Sequence, residues 1–293
     1  MMDNTLRLAT KKSPLARLMA YPLVQIVLGM VLTFAAIPLV MGIASHLLDK
    51  PYRILWPQLL AAALVWCAYR FYVRHIEKRQ PVELALPGMA RELGRGLLLG
   101  AGLVGLTFLV LAMLGVYQFN GVNALHAALL LPLAELLLVG MAEEMMFRGI
   151  LFGVTARALG NKAGIVISSL LFALAHLPNA GFSLLAIAAI AAYGMLQAAL
   201  YLQTRRLWVC IGTHVGWNYC VSQVFSSTVS GHAATGGLLR GELAGNTLLT
   251  GGAFGVEASL VTILLIGTVA AYVLRLALAS EKAARPAPYA PRA

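Results

Sequence analysis

Charge is scarce in this chain: charged residues make up 11% of its 293 positions, where a soluble domain carries about 25%. Acidic residues are the rarest, 11 against 22 Lys and Arg. With 60% of the sequence hydrophobic, too little polar surface exists to clothe a soluble fold. Cysteine is almost missing. Cys67, Cys210 and Cys220 lie in apolar runs, with no Cys-x-x-Cys and no ligand-type spacing, which speaks against a disulfide framework or a thiolate metal site. They read as small core hydrophobes. No internal repeat of the transporter kind is evident, and no stretch reads as a separate soluble domain. The net charge of +11 would suit nucleic acid. The basic residues, however, fall in short loops between apolar runs, where they orient membrane proteins. The expected partner is therefore the lipid bilayer, with no nucleic acid.

What the chain has instead is apolar runs of about 20 residues, each long enough to cross a bilayer, and a mean hydropathy of +0.82. Eight spans are expected, near 23–44, 55–73, 97–116, 124–147, 164–178, 183–203, 207–225 and 258–278. The fold class is all-α, a polytopic transmembrane helical bundle. Arg7, Lys11, Lys12 and Arg17 precede the first run. That run exceeds a signal-peptide core, so an uncleaved first span is expected. With both termini cytoplasmic, 19 Lys and Arg fall inside and three, Lys50, Arg53 and Arg240, outside, in keeping with the positive-inside rule. Residues 1–120 hold spans 1–3 and an interfacial helix around Leu84–Leu98, and 121–225 form a core of spans 4–7. Residues 226–257 make an outer loop, 258–280 the last span and 281–293 a disordered tail. The localisation implied is multi-pass, in the plasma or inner membrane.

Against this background Glu143, Glu144 and Arg148 stand out at the end of an apolar stretch. Together they could cost about 8–10 kcal/mol at the bilayer centre, so a partner, a cavity or a reaction is expected there. At about 100° per residue Glu144 and Arg148 share a helix face, while Glu143 lies roughly 140° from Arg148. Glu144 is thus the expected ion-pair partner of Arg148, and Glu143 is left free. Phe172 and His176 are four apart, as are His214 and Asn218. Gly160-Asn161 reads as the turn of a hairpin that brings Glu143 and His176 to similar heights, about 24–26 Å from the turn. A carboxylate with two imidazoles can activate water. Two histidines and a carboxylate can hold zinc or another divalent ion, or Glu143 can act as a metal-free base. Asn218 could donate to a tetrahedral intermediate. A site within the membrane, open to the cytoplasm, is expected. Glu135, eight residues before Glu143, could line it or bond to a neighbouring helix.

The segments EEMMFR, FALAH and HVGWN match the EExxxR, FxxxH and HxxxN motifs of the CPBP (Abi) intramembrane protease family. That family groups type II CAAX prenyl endopeptidases with bacteriocin-processing and immunity proteins. The resemblance covers roughly Leu131–Gln223. It implies a membrane endopeptidase acting near the C-terminus of a membrane-associated peptide or protein. By position, Glu143 resembles the water-activating residue, and His176 and His214 its catalytic or metal-binding partners. Asn218 resembles an oxyanion stabiliser, and Glu144 and Arg148 supporting residues. Two other readings stand beside it: a non-catalytic immunity or scaffold protein with the same fold, and a proton-coupled transporter using Glu135, Glu143 and the histidines.

Overall fold

A computed structural model describes residues 13–234 and 236–284. It is a bundle of helices in the order α1 (Pro14–Leu18), α2 (Pro22–Leu47), α3 (Trp56–His75), α4 (Met89–Met113), α5 (Pro132–Glu144), α6 (Gly153–Leu159), α7 (Asn161–Leu174), α8 (Leu184–Thr204), α9 (Leu207–Tyr219), α10 (Thr247–Thr250) and α11 (Leu260–Ala284). A π-helical stretch, Met145–Phe152, joins α5 to α6, and another, Cys220–Val224, continues α9. One two-stranded antiparallel ribbon pairs β1 (Tyr117–Val122) with β2 (Leu239–Leu243), with an irregularity between Phe119 and Gly121.

Punctuation residues set these boundaries. Proline opens α2, α3 and α5 within the first turn, where its missing N–H costs nothing. The Ser183 hydroxyl caps α8 by accepting from the Ala186 N–H at 3.2 Å. Gly160, at φ 88°, makes the turn between α6 and α7, as the hairpin reading expected.

Five helices are long and apolar enough to cross a membrane: Pro22–Leu47, Lys50–His75, Met89–Met113, Leu184–Thr204 and Leu260–Ser280. The other expected spans fall on shorter or interrupted helices. Five features differ from expectation. The fourth span starts at Pro132 rather than 124, because proline cannot continue a helix inward from its own N–H; it then runs through the π-helical stretch to Leu159. The expected interfacial helix is the first turns of α4 itself. α7 ends at Leu174, so His176 sits in the following turn. The segment 226–257 is not a plain loop but carries β2 and α10. α11 reaches Ala284, four residues into the expected disordered tail. Arg7, Lys11 and Lys12 and the tail from Arg285 lie outside the described residues.

α9 sits at the centre, with every residue from Leu207 to Trp217 buried. Its main neighbour is α4, and glycine sets their distance. A Cβ on Gly96 would stand 2.3 Å from the Val209 carbonyl oxygen, and one on Gly100 2.3 Å from that of Thr213. Gly212 and Gly216 face back onto the Leu93 and Leu97 carbonyls. Two Gly-x-x-x-Gly faces therefore meet backbone to backbone, the packing that substitutes for hydrophobic drive within lipid. Gly100→Ala is expected to lower stability by about 1–3 kcal/mol, read as thermal unfolding in detergent. An unchanged midpoint would mean that the helices are not in contact there.

Candidate active site

Glu143 and Glu144 end α5, and Arg148 lies just beyond in the π-helical stretch; such wide turns recur at functional sites. Glu144 is fully buried. Its Oε1 accepts from Arg148 Nη1 at 3.2 Å, Gln197 Nε2 at 3.0 Å and His214 Nδ1 at 2.8 Å. The expected Glu144–Arg148 pair is present. Arg148, 1% exposed, also donates from Nη2 to the Gly194 carbonyl at 3.3 Å. Its guanidinium lies 4.3 Å from the centroid of the Phe172 ring. This pair thus does more than neutralise itself: Glu144 holds the imidazole of His214 through Nδ1, leaving Nε2 turned to the other carboxylate.

That other carboxylate is Glu143. Its Oε2 is 3.8 Å from His214 Nε2, too far for a hydrogen bond, and is buried without a hydrogen-bond partner. His176 is held in a similar way: Nδ1 donates to the Phe172 carbonyl at 2.9 Å, with the two rings edge to face at 4.9 Å. The i to i−4 relation read from sequence survives although the helix has ended. Each imidazole therefore has one nitrogen tied back and the other free.

Glu143, His176, His214 and Asn218 all line one cavity of about 630 Å³. Glu135 lines it too, on an exposed stretch of α5. Phe34, Leu136, Val139 and Met146 make part of its wall apolar. A smaller cavity of about 30 Å³ adjoins His176, His214 and Asn218 on their other side, with room for water. The larger cavity is built from one face of α5 along its length, the start of the π-helical stretch, Phe34 of α2, the turn after α7, the C-terminal part of α9 with its π-helical continuation, and residues of 229–234. Arg157, in α6, pairs with Glu77 and Arg206 with Glu92, none of them in its lining.

Four residues escaped the sequence reading. Gln197 donates to Glu144 and to the Cys210 carbonyl at 3.0 Å each; an amide inside an otherwise apolar span was the available signal. Tyr193 packs on the rings of His214 and Trp217. Glu257 accepts from Trp217 Nε1 at 2.8 Å and from the Ser230 backbone N–H and hydroxyl. Ser230 and Gly231 form a turn with φ of 46° and 82°, and Asn179 donates to the Ser230 carbonyl at 2.8 Å. The 226–257 segment is thereby strapped to the turn bearing His176 and to α9. Nothing local in that segment signals such a contact. Trp217 is itself buried.

The donor types suit a divalent ion such as zinc: two imidazoles whose Nδ1 atoms are held by other groups, and an orphaned Glu143 oxygen. Their placement does not. Among the described residues no three His, Cys, Asp or Glu side chains come together closely enough to hold a metal.

Residues 124–220 match the family model of the type II CAAX prenyl endopeptidase Rce1-like proteins. That segment belongs to the CAAX-protease family. The family is one of membrane-embedded CAAX-type proteases, and the segment lies within a chain whose described residues include helices long and apolar enough to cross a membrane. The CAAX-protease segment contains all six site residues expected from the sequence; Ser230 and Glu257, which strap it, lie outside it. A comparison with curated proteins found no match.

Proposed function

We propose that this protein is an intramembrane endopeptidase in which Glu143 activates water against a peptide carbonyl. The observation that carries the reading is the unpartnered Glu143 Oε2 facing His214 Nε2 across 3.8 Å at the wall of a 630 Å³ cavity. A water admitted between the two atoms would donate to both. Its lone pair then faces the cavity. Glu143 takes one water proton as the oxygen adds to the carbonyl carbon, and the Asn218 amide donates to the resulting oxyanion. Glu143 returns the proton to the amine as the C–N bond breaks. His214 orients the water through Nε2, and Glu144, with Arg148, fixes His214. His176 Nε2 accepts from the substrate on the opposite wall.

A divalent ion would polarise the carbonyl and acidify the water. The side chains expected to hold it, His176 and His214, do not come together with Glu143 as a three-ligand group among the described residues. Every step above is carried by side chains alone.

The substrate is a membrane-associated peptide or protein, entering along the apolar wall near Phe34 and Leu136. C-terminal processing of the CAAX type follows from the family's description, and peptide maturation or immunity is the neighbouring role. Mass spectrometry of membrane-protein C-termini in cells with wild-type or Glu143→Gln protein tests this reading. Termini that lengthen with the variant are expected. Identical termini, together with full rescue of a deletion phenotype by the variant, would favour the non-catalytic scaffold.

Orientation follows from charge. The cavity wall includes residues 229–234, and neither Arg157, paired with Glu77, nor Arg206, paired with Glu92, lines it, which supports a mouth on the outer side under the positive-inside rule. The cytoplasm-facing site expected from the sequence is the alternative that labelling distinguishes. Cysteine introduced at Ala233, an exposed residue of the cavity rim, in a cysteine-free background is expected to react with an impermeant thiol reagent from outside. Labelling only after the membrane is opened would reverse the orientation.

A further inference from the structure

A second cavity, of about 380 Å³, lies where the ribbon of β1 and β2 caps the C-terminal end of α4. It shares no lining residue with either cavity of the active site, and its lining falls outside the family-matched segment. No Lys, Arg, His, Asp or Glu lines it. That excludes the usual recognition of phosphates, carboxylates and metal cations.

Beside Phe108, Phe225 and Leu243, its polar lining is hydroxyl and backbone. Ser226, Ser227, Thr228, Thr250 and Tyr117 contribute hydroxyls. Ser226 is already engaged, donating to the Leu239 carbonyl at 2.7 Å. Tyr117 is not: its residue is 8% exposed, and its buried hydroxyl has no hydrogen-bond partner. The ring is fixed edge-on against Phe108 at 5.0 Å and Phe225 at 6.0 Å. A Cβ on Gly241 would lie 2.3 Å from the Tyr117 oxygen, so only glycine there leaves room for the Tyr117 side chain. Burial raises the phenol above its ordinary range, which keeps it a neutral donor. A buried hydroxyl left without a partner calls for a ligand or an ordered water. Hydroxyls both donate and accept, and the chemistry that answers a wall of them is another set of hydroxyls.

We propose that this cavity binds an uncharged polyhydroxylated group, a sugar either free in solution or as the headgroup of a glycolipid. The test uses the full chain in nanodiscs of phosphatidylcholine, with no sugar-headed detergent. One arm titrates methyl β-glucoside; the other places monoglucosyl diacylglycerol in the disc. Binding is read by saturation-transfer NMR in the first arm and by thermal midpoint in both. Saturable binding of the soluble sugar points to a free ligand, and a response only to the glycolipid points to a headgroup. Tyr117→Phe removes an unpartnered hydroxyl, so without sugar its midpoint is expected to equal or exceed that of wild type, while sugar affinity falls at least tenfold. Thr228→Val is expected to weaken binding in the same direction. Failure of both arms, or wild-type affinity in Tyr117→Phe, overturns the proposal and leaves the hydroxyl to water.

Discussion

Glu143→Gln is expected to abolish peptide cleavage by the purified protein while leaving its thermal midpoint close to that of wild type. The amide is nearly isosteric and can still donate toward His214 Nε2, so the packing of α5 is undisturbed. It cannot take a proton from water. Losing a general base costs typically 10²–10⁴ in rate, and here the same carboxylate returns the proton to the leaving amine. A loss at the upper end of that range, about 10⁴, is expected. The Glu143 side chain is 25% exposed and makes no ion pair with Arg148, so the fold does not depend on its charge. Purified Glu143→Gln protein that still cleaves a membrane-anchored peptide would end the assignment. The two readouts, rate and midpoint, separate a catalytic group from a structural one.

Glu144→Ala is expected to act on both. Among the described residues its carboxylate is the only acidic side chain paired with the Arg148 guanidinium, and both side chains are almost wholly buried. Removing one partner of a buried pair typically costs about 3–5 kcal/mol, because the other charge is stranded. Gln197 and His214 lose their acceptor at the same time, and the ring of His214 is then free to turn. Denaturant unfolding in detergent should show a large fall in stability, and cleavage should vanish at temperatures where the variant is still folded. Glu144→Gln keeps an acceptor oxygen for these donors and is expected to fall between the two. Equal stability of wild type and Glu144→Ala would show that water reaches the pair and that burial is overstated. The contrast between adjacent residues is the point: Glu143 matters to rate alone, Glu144 to rate through stability and orientation.

Much of this site was legible before any coordinates. Charges in an apolar run are costly, so Glu143, Glu144 and Arg148 declared themselves. Helical phasing paired Glu144 with Arg148, and the Gly160 turn brought Glu143 and His176 to a common cavity. These inferences rest on local regularities of a helix: rise, twist and the conformational freedom of glycine. Where the helix departs from regularity they fail. The π-helical stretch and the end of α7 at Leu174 were not foreseen, because neither leaves a signal in composition.

The chain's sequence by itself pointed to a helical bundle in a membrane, and singled out the few polar residues that are candidates for its chemistry. Hydropathy and charge cost act residue by residue, so they can be read along the chain. Only the tertiary structure decided how those residues divide the work. The Glu144–His214 bond joins positions 70 residues apart, the facing glycines of α4 and α9 bring two backbones into contact, and Glu257 straps a distant segment over the site. Each depends on which helix faces which across the bundle, and side-chain identity at one position says nothing of its neighbour in space.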